Sequence, residues 1–271
     1  MEQYCFSGDI AGSQVKAAKD GARELLDSRE NRLLLILAFL LFMMMTISVG
    51  TLTAVLWMPL LPLFEGFSWY DNLYEISLVI DYILMLLFTL PAALGALRMV
   101  HQMCRGERAG LTDVFYAYRH LPHTWAVTLI LSLPALIIAG IWLVTPALLT
   151  YLKGAGVEPP AELVLRVCVI VAAALLSVGA LVLALRTFFF PGLAMRGDMG
   201  IRQALMASFS ASRGRMREII RFVFSFSGWA ALSLVTFGVF FLIQLAPHYT
   251  VSYMLYCDRA TNDCDKEASL T

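Results

Sequence analysis

Residues 33–57 read LLLILAFLLFMMMTISVGTLTAVLW, 25 residues without a charge. As one helix they span about 38 Å at about 1.5 Å per residue, more than a hydrocarbon core of about 30 Å requires. An ordinary core helix has no use for that length. Three further windows repeat the pattern: Ile76 to Leu97 with Asp81 inside it, Thr124 to Leu152, and Leu163 to Phe190 with Arg166 near its start. The composition agrees with them. The chain of 271 residues is 59% hydrophobic and 15% charged, with a mean hydropathy of +0.74, against roughly 45–50% apolar and about 25% charged in soluble domains. Such a chain is neither a water-soluble globule nor a disordered one. Twenty basic residues balance twenty acidic ones, so no overall basic field nominates nucleic acid as a partner.

The last apolar stretch, Phe222 to Cys257, holds 36 residues and only a neutral His248 among titrating bases and acids of ordinary charge. One continuous helix of that length would run about 54 Å and overshoot a single crossing. Thr236-Phe237-Gly238 supplies a flexible point near its middle, which divides it into helices of about 219–237 and 239–257. The expected fold is therefore an all-α, polytopic transmembrane bundle of six helices rather than five. It divides into a cytoplasmic amphipathic segment (1–32), a transmembrane domain (33–257) and a polar tail (258–271).

Lys and Arg orient this arrangement, because short cytoplasmic loops retain positive charge. Five lie in residues 1–32, none in 58–75, four in 98–123, one (Lys153) in 153–162 and seven in 186–221. The N-terminus is expected inside, and with six helices the tail returns there. The segment before Arg32 is mixed in charge and the apolar run after it exceeds a signal's core of about 7–15 residues, so it does not read as a cleavable signal.

Pro91, Pro134, Pro146, Pro191 and Pro247 lie within or at the ends of apolar segments, where each removes a backbone donor and kinks a helix or marks a hinge. Ala92 and Ala96, Ala135 and Ala139, and Ala173 and Ser177 are small pairs at helical spacing that admit close helix approach. The five cysteines, Cys5, Cys104, Cys168, Cys257 and Cys264, form no C-x-x-C pair and read as incidental thiols; a Cys257–Cys264 bridge would need an oxidising compartment.

Chemistry-bearing signatures are scarce. His101 with Cys104, and His120 with His123, have local metal-ligand spacing but no second ligand pair, and read as solvated or interfacial side chains. There is no H-E-x-x-H, glycine-rich phosphate loop or G-x-S-x-G, so the chain is expected to be non-enzymatic and to need no cofactor or metal. Residues 199–221 place Ile201, Leu205, Phe209, Met216 and Ile219 in one sector of a helix and Arg202, Arg213, Arg217 and Arg221 in an adjoining one. Such a basic amphipathic helix, ahead of the last two membrane helices, either lies on the membrane surface with its arginines at anionic lipid or extends the next helix with its arginines as topology anchors. Gly214 interrupts it. Asp81 and Arg166 lie at similar depth near the starts of helices that run the same way. They are candidates for an intramembrane ion pair, with snorkelling of Arg166 or an ion site at Asp81 as alternatives.

The run Ile201, Ala204-Leu205, Ser208 and Gly214, then Ser225-Phe226-Ser227-Gly228-Trp229, Thr236, Gly238, Pro247-His248-Tyr249 and Tyr256, resembles the C-terminal half of an uncharacterised bacterial multi-pass membrane family, a domain of unknown function. That family is similar to the membrane domain attached to some glycerophosphoryl diester phosphodiesterases. The polar segment before Arg32 and the Arg105-Gly106 to Phe115 loop fit the same pattern. Ser227 departs from it where an aliphatic residue is usual, as does the residue inserted between Pro247 and Tyr249. The resemblance implies a bacterial cytoplasmic-membrane protein of about six helices and carries no catalytic residues.

Two functions follow as expectations. One is a non-enzymatic integral membrane protein acting through lipids, anionic ones included, or through membrane-protein partners. The other is a small transporter or channel using the intramembrane carboxylate of Asp81.

Overall fold

The computed structural model describes residues 8–60, 73–154, 159–197, 199–236 and 238–269, and the regular elements among them are all helical. In chain order they are α1 (Gly8–Asp27), α2 (Arg29–Leu60), α3 (Leu73–Leu84), a π turn (Met85–Thr89), α4 (Leu90–Cys104), a 3-10 turn (Leu111–Phe115), α5 (Tyr116–Arg119), α6 (Leu121–Gly154) and α7 (Pro159–Arg186). There follow α8 (Phe190–Ala194), α9 (Ile201–Ala211), α10 (Met216–Phe224), α11 (Ser227–Val235), a second π turn (Phe241–Leu245) and α12 (Ala246–Ser269). Five stretches are long and apolar enough to cross a membrane: Arg29–Leu56, Ile80–Cys104, Leu121–Tyr151, Leu163–Ala194 and Met216–Val235. The four windows read from the sequence overlap the first four.

The expected hairpin after α11 is present. Gly238 turns the chain at φ +82°, a conformation that costs glycine no Cβ clash. The Trp229 ring then meets Phe240 at 5.8 Å and His248 at 5.1 Å. The returning helix is not among the five apolar stretches, because Gln244, His248, Thr250 and Ser252 interrupt its apolarity.

Packing is concentrated at one end of the bundle. Val15, Ala18, Ala22 and Leu26 form a buried stripe on α1 at helical spacing, and α1 lies along α12, where Gly21 faces Leu255. Phe189, Phe190, Phe222 and Tyr256 are fully enclosed. Tyr256 stacks on Phe222 at 5.2 Å, Phe189 leans on Tyr256 at 5.4 Å and Phe188 meets Tyr253 edge-on at 5.2 Å. Each burial costs nothing in unmet polarity: the Tyr253 hydroxyl donates to the Phe188 carbonyl (2.7 Å) and accepts from the Gly192 amide (3.2 Å), and Tyr256 donates to Glu218 (3.2 Å). Toward the other end, α2, α6 and α7 expose Ile47, Val55, Trp142, Leu163 and Leu175, the arrangement of helices whose outer surface meets lipid rather than water.

The packed core reaches past both outer boundaries drawn from the sequence. Beyond 257, Asp258 pairs with Arg196, and Ala260 and Thr261 are buried. From the amphipathic segment before residue 33, the apolar side of α1 joins the same core. That side was visible in the sequence; the partner 230 residues away was not.

Pro91 and Pro247 each sit at the second position of the helix that follows a π turn. Proline cannot donate to the carbonyl four residues back and its ring pushes that carbonyl aside. For Pro91 that acceptor is Leu87, and Trp125 Nε1 donates to it at 3.3 Å, while the Tyr118 hydroxyl donates to Phe88. Side chains from α5 and α6 thus meet acceptors that the broken helix leaves over.

Candidate functional site

The single amphipathic helix expected over 199–221 is two helices. Residues 212–215 separate α9 from α10, with Gly214 at φ +79°, so the break that Gly214 suggested is real. Arg202, Arg213, Arg217 and Arg221 are all exposed. The sector assigned to lipid faces the protein instead: Ile219 is fully buried, and Ile201 and Leu205 pack against the core. The exposed apolar groups of this region are Met206, Ile220, Val223 and Phe224, interleaved with the arginines. A guanidinium row beside an outward apolar row is a surface suited to phosphate groups above and acyl chains beside them.

Two clefts lie at the same end. The first, about 90 Å³, is lined by Lys19, Arg23, Ser225, Phe226, Trp229, His248 and Ser252. The Lys19 amine donates to the Ser225 carbonyl at 3.2 Å and sits 4.5 Å from the centre of the Phe226 ring. Burial, and after it the Arg23 charge, lower its pKa. The second cleft, about 270 Å³, brings Arg98, Tyr116, His120 and His123 together with Ala194, Met195, Gly197, Met199 and Gly200. The Arg98 guanidinium lies 3.5 Å from the Tyr116 ring centre, its other side against Gly197 at φ +82°, where any Cβ would fall 2.9 Å from it. His123 Nε2 lies 3.4 Å from the Ala194 carbonyl, and His120 rests 4.5 Å from Tyr116. His120 and His123 therefore share a cleft, yet among the described residues no three His, Cys, Asp or Glu are grouped to hold a metal ion. Beneath it, Arg196 (9% exposed) pairs with Asp258 and donates to Thr261 at 3.2 Å, tying the Met195–Gly197 turn to α12. Local spacing gave no signal of that pair, whose members are 62 residues apart.

Asp81 lies on α3, and its carboxylate accepts from the Thr53 hydroxyl of α2. Arg166 is on α7, which packs on α6. The contact described for the Asp81 carboxylate is with Thr53, on the helix α2 against which α3 packs. Thr53 is the partner that sequence reading missed, a short polar side chain that looked like one more tolerated hydroxyl in an apolar run. Cys104, Cys168 and Cys257 are free thiols, the last of them buried.

Fold and surface together define a class: an all-α bundle whose long apolar helices suit multi-pass membrane insertion and whose two clefts lie at one end. Over residues 14–262 the chain matches the family described as Protein of unknown function (DUF975), and it belongs to that family. No curated protein and no solved structure matches it. Of the residues that carried the resemblance, Phe226, Tyr249 and Tyr256 stand in the aromatic core, so that signature describes packing.

Proposed function

We propose that this is a non-enzymatic integral protein of a bacterial cytoplasmic membrane, N-terminus inside, that acts by engaging anionic lipid through Arg202, Arg213, Arg217 and Arg221. The observation that carries the reading is the exposure of all four arginines, with Arg217 and Arg221 on the helix that also exposes Ile220, Val223 and Phe224. The test uses the full chain in nanodiscs, with fluorescent phosphatidylglycerol competing against phosphatidylcholine. A near-surface basic residue contributes on the order of 1 kcal/mol, so each Arg→Gln change should weaken anionic preference about fivefold, and added salt should weaken it further. Unchanged preference in the fourfold variant would leave the arginines as topology anchors.

A second reading, transport through an intramembrane carboxylate, draws on the π turn and Pro91 that break the helix just after Asp81. A folded Asp81→Asn protein that loses a flux seen with the unsubstituted chain in liposomes would favour it.

A further inference from the structure

Measured from Trp229 and His248, the hairpin of α11, the second π turn and the start of α12 is shorter than a crossing, and Met216–Val235 reaches the length of one only by including α10. Trp229 and His248 face each other near its base, and both line the cleft that contains Lys19 and Arg23. Arg23 is 68% exposed in its side chain. A level that holds an exposed arginine beside a tryptophan belongs to the membrane interface. From Trp229 to Val235 a helix advances about 9 Å, and from Val239 to His248 about 14 Å. Both arms thus end near the middle of a hydrocarbon core of about 30 Å.

The tip has the composition of a buried end rather than of a loop in water. Leu234, Val235 and Val239 are 82%, 75% and 56% exposed, and residues 222–257 contain no Asp, Glu, Lys or Arg. The stretches that join the other long helices, 58–75 and 153–162, carry Glu65, Asp71, Lys153 and Glu158. Packing of α2 gives an independent measure. The second π turn touches α2, and the α2 side chains that join the common core run from Leu34 to Met45, the first half of its apolar length.

We infer that residues 227–245 form a re-entrant hairpin, entering the bilayer from the basic end, turning at Gly238 among the acyl chains and returning to the same end. The chain then makes four full crossings, and the hairpin's outward apolar side chains contact one leaflet. This replaces the reading of 219–237 and 239–257 as two crossings, although both arrangements return the tail to the side of α1. Lipid preference at the arginines does not depend on hairpin depth, so the two proposals fail separately.

Single-cysteine proteins made from the full chain, with Val235→Cys, Val239→Cys or, as a control between α2 and α3 in sequence, Ser68→Cys, test the inference. In intact cells a membrane-impermeant maleimide should label Cys at 68 and leave those at 235 and 239 unlabelled. In vesicles, a fluorophore at 235 or 239 should be quenched more by lipids spin-labelled at mid-chain than by lipids labelled at the headgroup. Labelling of either tip position from outside, or stronger headgroup quenching, would overturn the hairpin and restore a full crossing. Two tip positions guard against one substitution that fails to fold.

Discussion

Asp81 is the one acid in the middle of the apolar windows, and the Thr53 hydroxyl of the neighbouring helix reaches its carboxylate. A carboxylate away from water needs partners, and Thr53 supplies one from the neighbouring helix. Deleting a buried hydrogen bond costs about 1 kcal/mol net, with more to a charged group. A double-mutant cycle of Asp81→Asn with Thr53→Val, read as thermal stability of the purified protein, should therefore give a coupling of about 1 kcal/mol or more. The cycle of Asp81→Asn with Arg166→Gln tests the pair read from the sequence in the same way. Coupling in the second cycle and none in the first would return Arg166 to the role the sequence suggested. The sequence could place both residues at comparable depth, since depth follows from position along a helix. It could not choose between neighbours, because neighbour choice is a property of the bundle.

At the scale of elements, length and apolarity made the long helices legible, since a crossing imposes both at once. The stretch from Arg105 to Phe115 was not, because it read as a solvated loop. Its second half is a 3-10 turn seated on α4, where Gly95 admits the Val114 backbone: a Cβ at position 95 would lie 1.9 Å from the Val114 carbonyl oxygen. No rotamer relieves a clash with backbone, so the turn must move and Val114, fully buried, must leave its place. Gly95→Ala is expected to destabilise the folded protein by about 3 kcal/mol, at the upper end of overpacking costs, and to lower its melting temperature in detergent. Gly140→Ala, at a glycine with open space around it, should leave that temperature nearly unchanged. An equal effect of the two would show that the turn does not sit on α4 as described. The same scale explains the arginines, whose helical phase was visible in the sequence while the break at Gly214 decided which apolar side chains turn inward.

For the whole molecule, the core joins residues that no local pattern connects: α1 to α12, Phe189 to Tyr256, and Arg196 to Asp258. These contacts bring the beginning and the end of the described chain to one end of the bundle, together with the two clefts and the exposed arginines. In the proposed orientation, which follows the distribution of basic residues, that end faces the cytoplasm. Everything proposed for the protein depends on this shared end, and Cys264 reports on it. With the other cysteines replaced, Cys264 should resist a membrane-impermeant maleimide in intact cells and react once the membrane is opened. Ready labelling of Cys264 from outside would contradict the account, since an odd number of crossings would then separate the tail from the N-terminus.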